Sequence, residues 1–270
     1  MIIPFMKMHG IGNDFILINK DEINDAVNMT DLAVSVCHRK FGVGADGLMV
    51  KKTSFEADAK MLYYNSDGSQ GEMCGNGIRC FARFIDDLRS HHSRTLTVET
   101  LAGMKTLTIT TTNQVQSEVE VNMGTPDFHT LQGTLTVMGH DLEYSFVTVG
   151  VPHAVIFIDK PVADQVDSMG PVIENHPLFP KRTNVNFCYI ENRGKMHVFT
   201  WERGAGHTLA CGTGVTSAFA VAAKMKRMNK NVVVQAEGGL LQMQLLDDGT
   251  INMTGPARDV CSGSFFYEKP

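Results

Sequence analysis

The sequence predicts an α/β protein of the α+β type, made of two halves of related design in which a curved, mostly antiparallel sheet wraps around a central helix. Three observations lead to this prediction. Strand-like stretches dominate the chain. The motif Cys-Gly-x-Gly occurs twice, at Cys74 and at Cys211, and each copy is followed by a long apolar segment. No linker rich in Pro, Gly or Ser separates the halves, so they should abut tightly.

The first half is predicted to run from residue 1 to 117. A helix is expected over 31–41, with Thr30 as its N-cap and Gly42 after its end. A second helix starts after Cys74 and continues to about residue 88. Apolar residues that alternate with polar ones predict strands over 15–18, 47–50, 59–64 and, as an antiparallel set, 95–121.

The second half is predicted over 118–262, and residues 263–270 are expected to form a strand that packs back onto the first half. The segment 215–223, which follows Cys211, contains no charged residue. A helix that is apolar on all sides is buried, so this helix is expected inside the curved sheet. Residues 162–176 are expected to be mostly helical, and strands are expected over 146–149, 154–157, 185–190, 197–201 and 231–253.

The composition, 43% hydrophobic and 20% charged, is that of an ordinary globular protein. A formal net charge of −5 and the lack of Lys/Arg-rich runs argue against a nucleic-acid partner. No apolar run approaches a membrane span, and the N-terminal residues do not resemble a signal peptide. A cytoplasmic location is therefore expected, with six reduced cysteines whose spacing fits no zinc pattern.

The two Cys-Gly-x-Gly motifs carry the strongest chemical signal. A cysteine at a helix N-terminus lies at the positive end of the helix dipole, which lowers the pKa of the thiol and favours the thiolate. The glycines allow backbone N–H groups to turn toward an anion at the same place. Two such sites, one in each half, predict a pair of facing thiols with an anion held between two helix ends. Such an arrangement removes a proton from one face of a carbon and returns one to the other.

The cysteines also admit other interpretations. Most unpaired cysteines are small buried hydrophobic residues. That interpretation is adopted for the four outside the motifs, which are Cys37, Cys80, Cys188 and Cys261. A disulfide between the two motif cysteines is an alternative, formed by accidental oxidation rather than as a structural feature. A thiol redox protein would carry Cys-x-x-Cys, which this chain lacks.

Three residues of the second half are candidates to assist the thiols. His153 lies in a loop between two predicted strands, where it is either structural or a base that activates a thiol. Glu202 and Arg203 end a strand shortly before the second motif. They could be a solvated pair, but the neighbouring glycines and thiol favour binding, with Arg203 for a carboxylate and Glu202 for an ammonium group.

A glycine pattern in the first half matches G-x-G-x-x-G, from Gly42 to Gly47. It follows a predicted helix and precedes a strand, which is the wrong context for a dinucleotide site. We therefore interpret it as a turn, with Asp46 as a hydrogen-bond partner near the site.

Across essentially its whole length the chain resembles the diaminopimelate epimerase family. The resemblance rests on Met8-His9-Gly10-Ile11-Gly12-Asn13-Asp14-Phe15, Tyr64-Asn65-Ser66-Asp67-Gly68-Ser69, Cys74-Gly75-Asn76-Gly77-Ile78-Arg79-Cys80, Arg182-Thr183-Asn184, and Glu202-Arg203-Gly204-Ala205-Gly206 running into Ala210-Cys211-Gly212-Thr213-Gly214. It implies two pseudo-symmetric α/β domains with the active site in the cleft between them. It also implies that neither pyridoxal phosphate nor a metal takes part.

The same resemblance implies a role for each matched residue. Cys74 and Cys211 fall on the two catalytic cysteines, and His153 and Glu202 fall on the groups thought to help ionise them. The substrate-binding positions are matched by Asn13, Asn65, Asn184 and Arg203. The clamp for the reacting carboxylate is matched by the backbone around Gly75, Asn76, Gly212 and Thr213.

Two residues depart from the family pattern. Val151 stands where the family usually has an asparagine that looks toward the distal carboxylate, and His207 stands where it usually has a glutamate. The first expectation for function is therefore a cofactor-independent epimerase that converts LL- to meso-diaminopimelate. The alternative is a racemase of another amino acid, such as histidine or lysine.

A binding protein that shares the fold but has lost the chemistry is a third hypothesis. The presence of both motif cysteines argues against it. The expected partner is a small amino-acid substrate. The sequence leaves the oligomeric state open, a homodimer included.

Overall fold

A computed structural model of the chain describes residues 1–89, 94–160 and 163–268, with the side chains of 111, 112, 163 and 164 left out. The chain forms two compact units, Met1–Val121 with Gly255–Pro270, and Asn122–Thr254. The last strand, Ile251–Phe266, begins in the second unit and continues into the first.

Among its described residues, the first unit contains eight strands of its own, a 3₁₀ turn at Lys20–Glu22, and two helices. The helices are α1 (Met29–Cys37) and α2 (Gly75–Asp87). The strands are β1 (Ile2–Gly10), β2 (Asn13–Asn19), β3 (Gly47–Lys52), β4 (Ala59–Asn65), β5 (Gln70–Gly71), β6 (Thr95–Thr100), β7 (Gly103–Thr112) and β8 (Gln116–Asn122).

The second unit contains α3 (Ala163–Glu174) and α4 (Gly212–Lys224). Its strands are β9 (Asp127–Val137), β10 (His140–Val149), β11 (Val151–Phe157), β12 (Asn184–Asn192), β13 (Lys195–Glu202), β14 (Gly206–Thr208), β15 (Asn231–Ala236), β16 (Gly239–Leu245) and the start of β17 (Ile251–Phe266). In the described part of the chain, no helix is long and apolar enough to cross a membrane.

The two units repeat one strand topology. In the first, β1–β2 is antiparallel, β2–β3 parallel, β3–β4 and β4–β5 antiparallel, β4–β6 parallel and β6–β7 antiparallel. The second gives the same sequence of pairings from β10 to β16. Each helix also recurs between corresponding strands. The prediction of two halves of related design, each mostly antiparallel, is confirmed.

The helix that begins at a motif cysteine is buried in each unit. α2 packs on β1, β2, β3 and β7, and α4 packs on strands of its own unit that include β10, β11, β12 and β16. Every residue of α4 from Val215 to Ala222 is buried, which confirms the placement predicted from its lack of charge. α2 is less uniform, because it buries Arg79 and Arg83 among its apolar residues.

The other helix of each unit covers the opposite face of the parallel strand pair. Ile16 and Ile18 of β2 join the cluster that contains Leu32 of α1. Phe15, which points to the other face because side chains alternate along a strand, lies beneath α2. These strands are buried on both sides, so an apolar run replaces simple alternation.

Helix α1 corrects the sequence-based bounds at both ends. Asn28 caps it, because its Oδ1 accepts hydrogen bonds from the N–H of Thr30 at 2.9 Å and of Asp31 at 3.4 Å. The helix ends at Cys37, since the His38 Nδ1 accepts the N–H groups of Lys40 and Phe41, both at 3.1 Å. The Asn28 side chain thus satisfies N–H groups of the first turn, and the His38 side chain satisfies N–H groups that follow the last turn.

Strand boundaries also differ from the expectation. β1, β9 and most of β10 were not predicted. The C-terminal strand is longer than expected, and Phe266 pairs with Ile2 of β1. Of the residues expected in that strand, 269 and 270 lie outside the described part, as does residue 162 of the predicted helix.

Candidate active site

In the first unit, Cys74 is the N-cap of α2. Its backbone is extended, with φ −128° and ψ 124°, and its side chain makes no capping hydrogen bond. The thiol instead donates to Asn13 Oδ1 at a distance of 3.5 Å. The helix can start here because Gly77 has no side chain: a Cβ on it would lie 1.7 Å from Met49 Cε and 3.2 Å from Phe15 Cζ.

The Cys74 thiol and the Asn76 amide share Asn13 Oδ1 as their acceptor. Asn76 Nδ2 donates to Asn13 Oδ1 at 3.3 Å. Asn13 Nδ2 donates to Asp46 Oδ2 at 2.7 Å, which fixes the amide with its oxygen toward the thiol. Asp46 is held in turn by Arg39, 2.7 Å away. The structure therefore brings Asn13, Cys74 and Asn76 together, and Asp46 is a hydrogen-bond partner beside them.

Arg79 is a residue of this site to which the sequence analysis gave no role. Its side chain is fully buried and donates to Gly75 O at 2.9 Å, Asn76 Oδ1 at 3.1 Å and Pro256 O at 3.3 Å. Burial lowers the pKa of the guanidinium, while the charges of Cys80 and Cys74 act in the opposite direction. A buried cation one turn into α2 adds to the positive potential of the helix end.

Asn65 uses its side chain within its own hairpin. Its Nδ2 donates to Ser69 Oγ at 2.9 Å, and its Oδ1 accepts from the Tyr63 hydroxyl at 2.7 Å. Asn65 is the last residue of β4, and Glu202 is the last residue of β13. The strand pairing makes these two positions equivalent in the two units.

In the second unit, Cys211 caps α4 as Cys74 caps α2. Its φ is −119°, its ψ is 112°, and its side chain makes no capping hydrogen bond. The Sγ lies 3.3 Å from Thr213 Oγ1. Gly214 again allows the close approach, since a Cβ on it would lie 2.3 Å from Asn186 Oδ1.

The protonation state of Cys211 differs from the expectation. The residue is only 6% exposed. Burial raises the pKa of the thiol well above its ordinary value, and the negative charge of Glu202 raises it further. This direction is opposite to the lowering of the pKa expected from the helix N-terminus, because desolvation and Glu202 oppose the helix dipole. Glu202 is held by Thr208, whose hydroxyl donates to Oε1 at 2.7 Å.

His153 is completely buried at the third position of β11. Asn186 Nδ2 lies 3.1 Å from its Nδ1, and its Nε2 has no hydrogen-bond partner in the part of the chain that the structure describes. Burial, helped by the charge of Arg203, lowers the pKa of the imidazole to about 3. His153 is therefore neutral at physiological pH, and so low a pKa makes the imidazole a weak base, which does not favour the hypothesis that it activates a thiol.

Asn184 and Arg203 are neighbours at the ends of β12 and β13. Asn184 Oδ1 accepts the Arg203 N–H at 2.9 Å, and Asn184 Nδ2 donates to Pro152 O at 2.9 Å. The Arg203 guanidinium donates to Lys181 O at 3.1 Å.

The first turns of α2 and α4 carry the backbone N–H groups that a helix leaves without internal partners. In α2 these belong to Gly75, Asn76 and Gly77, and in α4 to Gly212, Thr213 and Gly214. Such N–H groups and the helix dipole together attract an anion.

The cysteines are thiols that differ in their exposure. All six cysteines lie within the described residues, and none forms a disulfide there. Cys37, Cys80 and Cys188 are buried, as predicted, and burial raises the pKa of Cys80 to about 12. Cys261, expected to be buried, is exposed on β17. No group of three or more His, Cys, Asp or Glu residues in the described ranges could hold a metal ion.

His207 has local partners. Its Nδ1 lies 2.9 Å from Asp167 of α3, and its Nε2 lies 2.5 Å from Glu237. Burial alone lowers the pKa of the imidazole, but the hydrogen bonds and charges of the two carboxylates outweigh it and raise the pKa. His207 thus ties α3 to the turn between β15 and β16.

We expect this link to stabilise the protein at low pH. Because the folded-state pKa is raised, the stabilisation is complete below the unfolded value, near 6.5, and is lost as the pH rises through the folded value. His207→Gln should lower the free energy of unfolding by about 1 kcal/mol at pH 5.5 and by much less at pH 9. Urea unfolding at both pH values measures this, with exposed His140→Gln as the control. An equal loss at both pH values would contradict the assignment.

Comparison with known proteins identifies the family. The sequence model described as diaminopimelate epimerase matches residues 5–129 and 145–260. The diaminopimelate epimerase of Alkaliphilus metalliredigens is 46% identical, over 98% of both chains. That of Carboxydothermus hydrogenoformans is 40% identical, over 97% of this chain and 99% of its own.

Solved structures with low sequence identity share the fold. A hydroxyproline epimerase from Agrobacterium vitis superposes with a TM-score of 0.74 at 14% identity, over 100% of this chain and 94% of its own. A phenazine biosynthesis protein of the PhzF family from Bacillus anthracis gives a TM-score of 0.73 at 16% identity, over 99% of this chain and 100% of its own. The sequence matches cover both units and both cysteine motifs, and they show that the chain belongs to the diaminopimelate epimerase family.

Proposed function

We propose that the protein inverts one α-carbon of diaminopimelate, converting the LL to the meso isomer, with Cys74 and Cys211 as the acid and the base and without a cofactor. One observation carries the proposal: each unit places a cysteine at the N-cap of its central helix, at corresponding points of the same topology. A single nucleophile would need only one such site. Two suit a reaction in which one proton leaves a carbon and another arrives.

Removal of an α-proton is difficult because charge develops on carbon and spreads into the α-carboxylate. The first-turn backbone N–H groups of α2 and α4, together with the helix dipoles, are suited to stabilise that charge. In the proposal, the backbone of Gly75 and Asn76 and that of Gly212 and Thr213 bind the carboxylate. The buried charge of Arg79, bonded to Asn76, adds to the potential at the first of these helix ends.

The different surroundings of the two thiols suggest how they divide the work. Cys211 is buried beside Glu202, which favours the thiol, the form that donates a proton. Cys74 is more accessible and lies near the Arg79 cation, which favours the thiolate, the form that accepts one. We infer that Cys74 is the base and Cys211 the acid in one direction, and that the roles exchange in the reverse direction. The chemistry requires both thiols to reach one α-carbon from opposite faces.

Four further residues are assigned to substrate binding in this proposal. Asn13 and Asn65 belong to the first unit, and Asn184 and Arg203 to the second. Arg203 is suited to the distal carboxylate, because a guanidinium binds carboxylates through paired hydrogen bonds. Its backbone bond to Asn184 places both side chains at one strand end.

A racemase of another amino acid is the second candidate, and one observation favours it. Val151, the first residue of β11, has no polar side chain where the family usually offers an amide. His207, the other departure, bonds Asp167 and Glu237 within its own unit, which accounts for a histidine there without a change of substrate. Only Val151 therefore supports the alternative.

The substitution Val151→Asn separates the two candidates. If the site is adapted to diaminopimelate, the wild type should turn over this substrate far faster than lysine or histidine, and the added amide should lower KM for it by up to about tenfold. The values of kcat/KM for the three amino acids, measured with both proteins, decide the matter. Wild-type preference for lysine or histidine, reversed by the substitution, would refute the proposed substrate.

The cellular context and assembly are part of the same proposal. We propose a cytoplasmic enzyme, since six cysteines without a disulfide suit a reducing compartment. A net charge of −5 supports a small-molecule substrate rather than a nucleic acid. A homodimer is the proposed assembly, and sedimentation velocity tests it by the mass of the particle.

A further inference from the structure

The two units differ at three equivalent buried positions beneath the cysteine-capped helices. Strand pairing defines the equivalence: Met49 pairs with Tyr63 in the first unit, as Asn186 pairs with Thr200 in the second. The third position of the preceding parallel strand is Phe15 in one unit and His153 in the other.

The glycines of the two motifs support this equivalence independently. Gly77 of α2 lies against Met49, and Gly214 of α4 lies against Asn186, so close in both cases that a Cβ would overlap the side chain. The same helix turn therefore rests on the same strand position in each unit. Its supporting residue is a thioether in the first unit and an amide in the second.

The first unit fills the three positions with large carbon-rich side chains. Phe15 and Met49 are fully buried, and the rings of Phe15 and Tyr63 pack edge to face with centroids 6.1 Å apart. The fold thus accepts such side chains at these places. The second unit has a polar set at these positions, namely His153, Asn186 and Thr200, which the topology does not require. A buried polar group is tolerated only when it is hydrogen-bonded.

The polar set is ordered as a chain of hydrogen bonds. Thr200 Oγ1 donates to Asn186 Oδ1 at 3.2 Å, and Asn186 Nδ2 donates to Ala154 O at 3.3 Å. The Ala154 carbonyl can only accept, so it fixes which end of the amide faces His153, namely the N–H₂ group, 3.1 Å from Nδ1, and the Thr200 contact is consistent with that orientation. An amide nitrogen has no lone pair to offer, so Nδ1 must be the acceptor and the ring proton must be on Nε2.

We propose that Asn186 is a positioning residue for the epimerase reaction, which holds His153 in the Nε2–H tautomer beneath the first turn of α4. The inference rests on the proposed function, because it assigns the neutral Nε2–H group as a donor to the anion that forms at the site. Nε2 is buried, and no group among the described residues accepts a hydrogen bond from it. Arg203 is the charged residue whose field reaches the ring.

The substitution Asn186→Asp tests the proposal with almost no change in shape. A carboxylate accepts where the amide donated, so the ring proton should move to Nδ1. Long-range ¹H–¹⁵N spectra of the imidazole should show the proton on Nε2 in the wild type from pH 5 to 9, and on Nδ1 or on both nitrogens in the variant. Activity on diaminopimelate, as kcat/KM, should fall by about 100-fold or more.

Two companion variants separate positioning from simple damage. Thr200→Val keeps the shape but removes one of the two contacts that hold the amide, so it should weaken the preference for the Nε2–H tautomer without abolishing it. His153→Phe with Asn186→Met recreates two of the three side chains of the first unit and should lose no more activity than His153→Phe alone. Additional loss in that double variant, or an unchanged Nε2–H tautomer in Asn186→Asp, would overturn the proposal. The spectra need no substrate, so they decide the tautomer even if the wild type does not epimerise diaminopimelate.

Discussion

Replacement of Cys74 or Cys211 by alanine is expected to lower kcat for epimerisation by at least about 1000-fold, because in the proposed mechanism each thiol donates or accepts the proton on its own face of the α-carbon. Neither cysteine makes a side-chain capping hydrogen bond, so the loss of the thiol should leave the helices largely intact. The measurement is the initial rate of meso-diaminopimelate formation. Circular dichroism and urea unfolding confirm that the variants are folded.

A matched control exists in the same chain. Cys261 is exposed on β17 and has no part in the proposed reaction, so Cys261→Ala should retain the wild-type rate. Cysteine-to-serine variants are informative too, since a hydroxyl can donate a proton but is a poor base. We expect each of them to keep some exchange of the α-proton on one face. A Cys211→Ala protein that interconverts both isomers at a near-normal rate would refute the two-thiol scheme.

Arg79→Met should produce the largest loss of stability among the variants considered. It removes a buried guanidinium that donates to the carbonyls of Gly75 and Pro256 and to the side chain of Asn76. Buried acceptors that lose their donors cost about 1–3 kcal/mol each, so we expect a decrease of about 3 kcal/mol or more in the free energy of unfolding. Urea unfolding at pH 7 measures it.

The same substitution should also reduce the reactivity of the nearby thiol. The Arg79 cation interacts favourably with a negative charge on Cys74, so its loss should slow alkylation of Cys74 by iodoacetamide at a fixed pH. Arg79→Lys keeps the charge but not the planar set of donors, and should therefore restore reactivity better than stability. Equal stability and equal alkylation rates in Arg79→Met and the wild type would show that the buried charge has no such role.

The repeated motif allowed much of this site to be predicted from the sequence. Cys74 and Cys211 are short-range features: a cysteine, two glycines and an apolar helix determine the cap, the close packing and the first-turn N–H groups together. The burial of α4 follows from its composition in the same way. Such local signals do not depend on knowing which strands pair.

Features that depend on strand pairing were harder to predict. Asn184 and Asn186 alternate with Val185 and Phe187, a pattern typical of a strand with one face in water. β12 is instead buried on both faces over its first residues, and its asparagines bond to Pro152, His153 and Ala154 of the neighbouring strand. The role of Asn186 was missed for this reason, since only the parallel pairing of β11 and β12 places it beside His153.

Long-range electrostatics were the other source of error. A helix N-terminus favours a thiolate, but the sequence does not reveal that Cys211 is buried beside Glu202. It does not show that Arg79 and Pro256, far apart in sequence, are in contact either. Where burial and a neighbouring carboxylate oppose the helix dipole, the outcome depends on distances that only the folded chain provides.

Epimerisation of LL-diaminopimelate in heavy water tests the central claim most directly. With two thiols, the base removes the substrate's proton and the acid on the other face supplies deuterium from solvent. At low conversion we therefore predict meso product that carries one deuterium at the inverted carbon, and recovered substrate that carries none. Product that retains the substrate's own proton, or substrate that gains deuterium as fast as product forms, would contradict the two-base account.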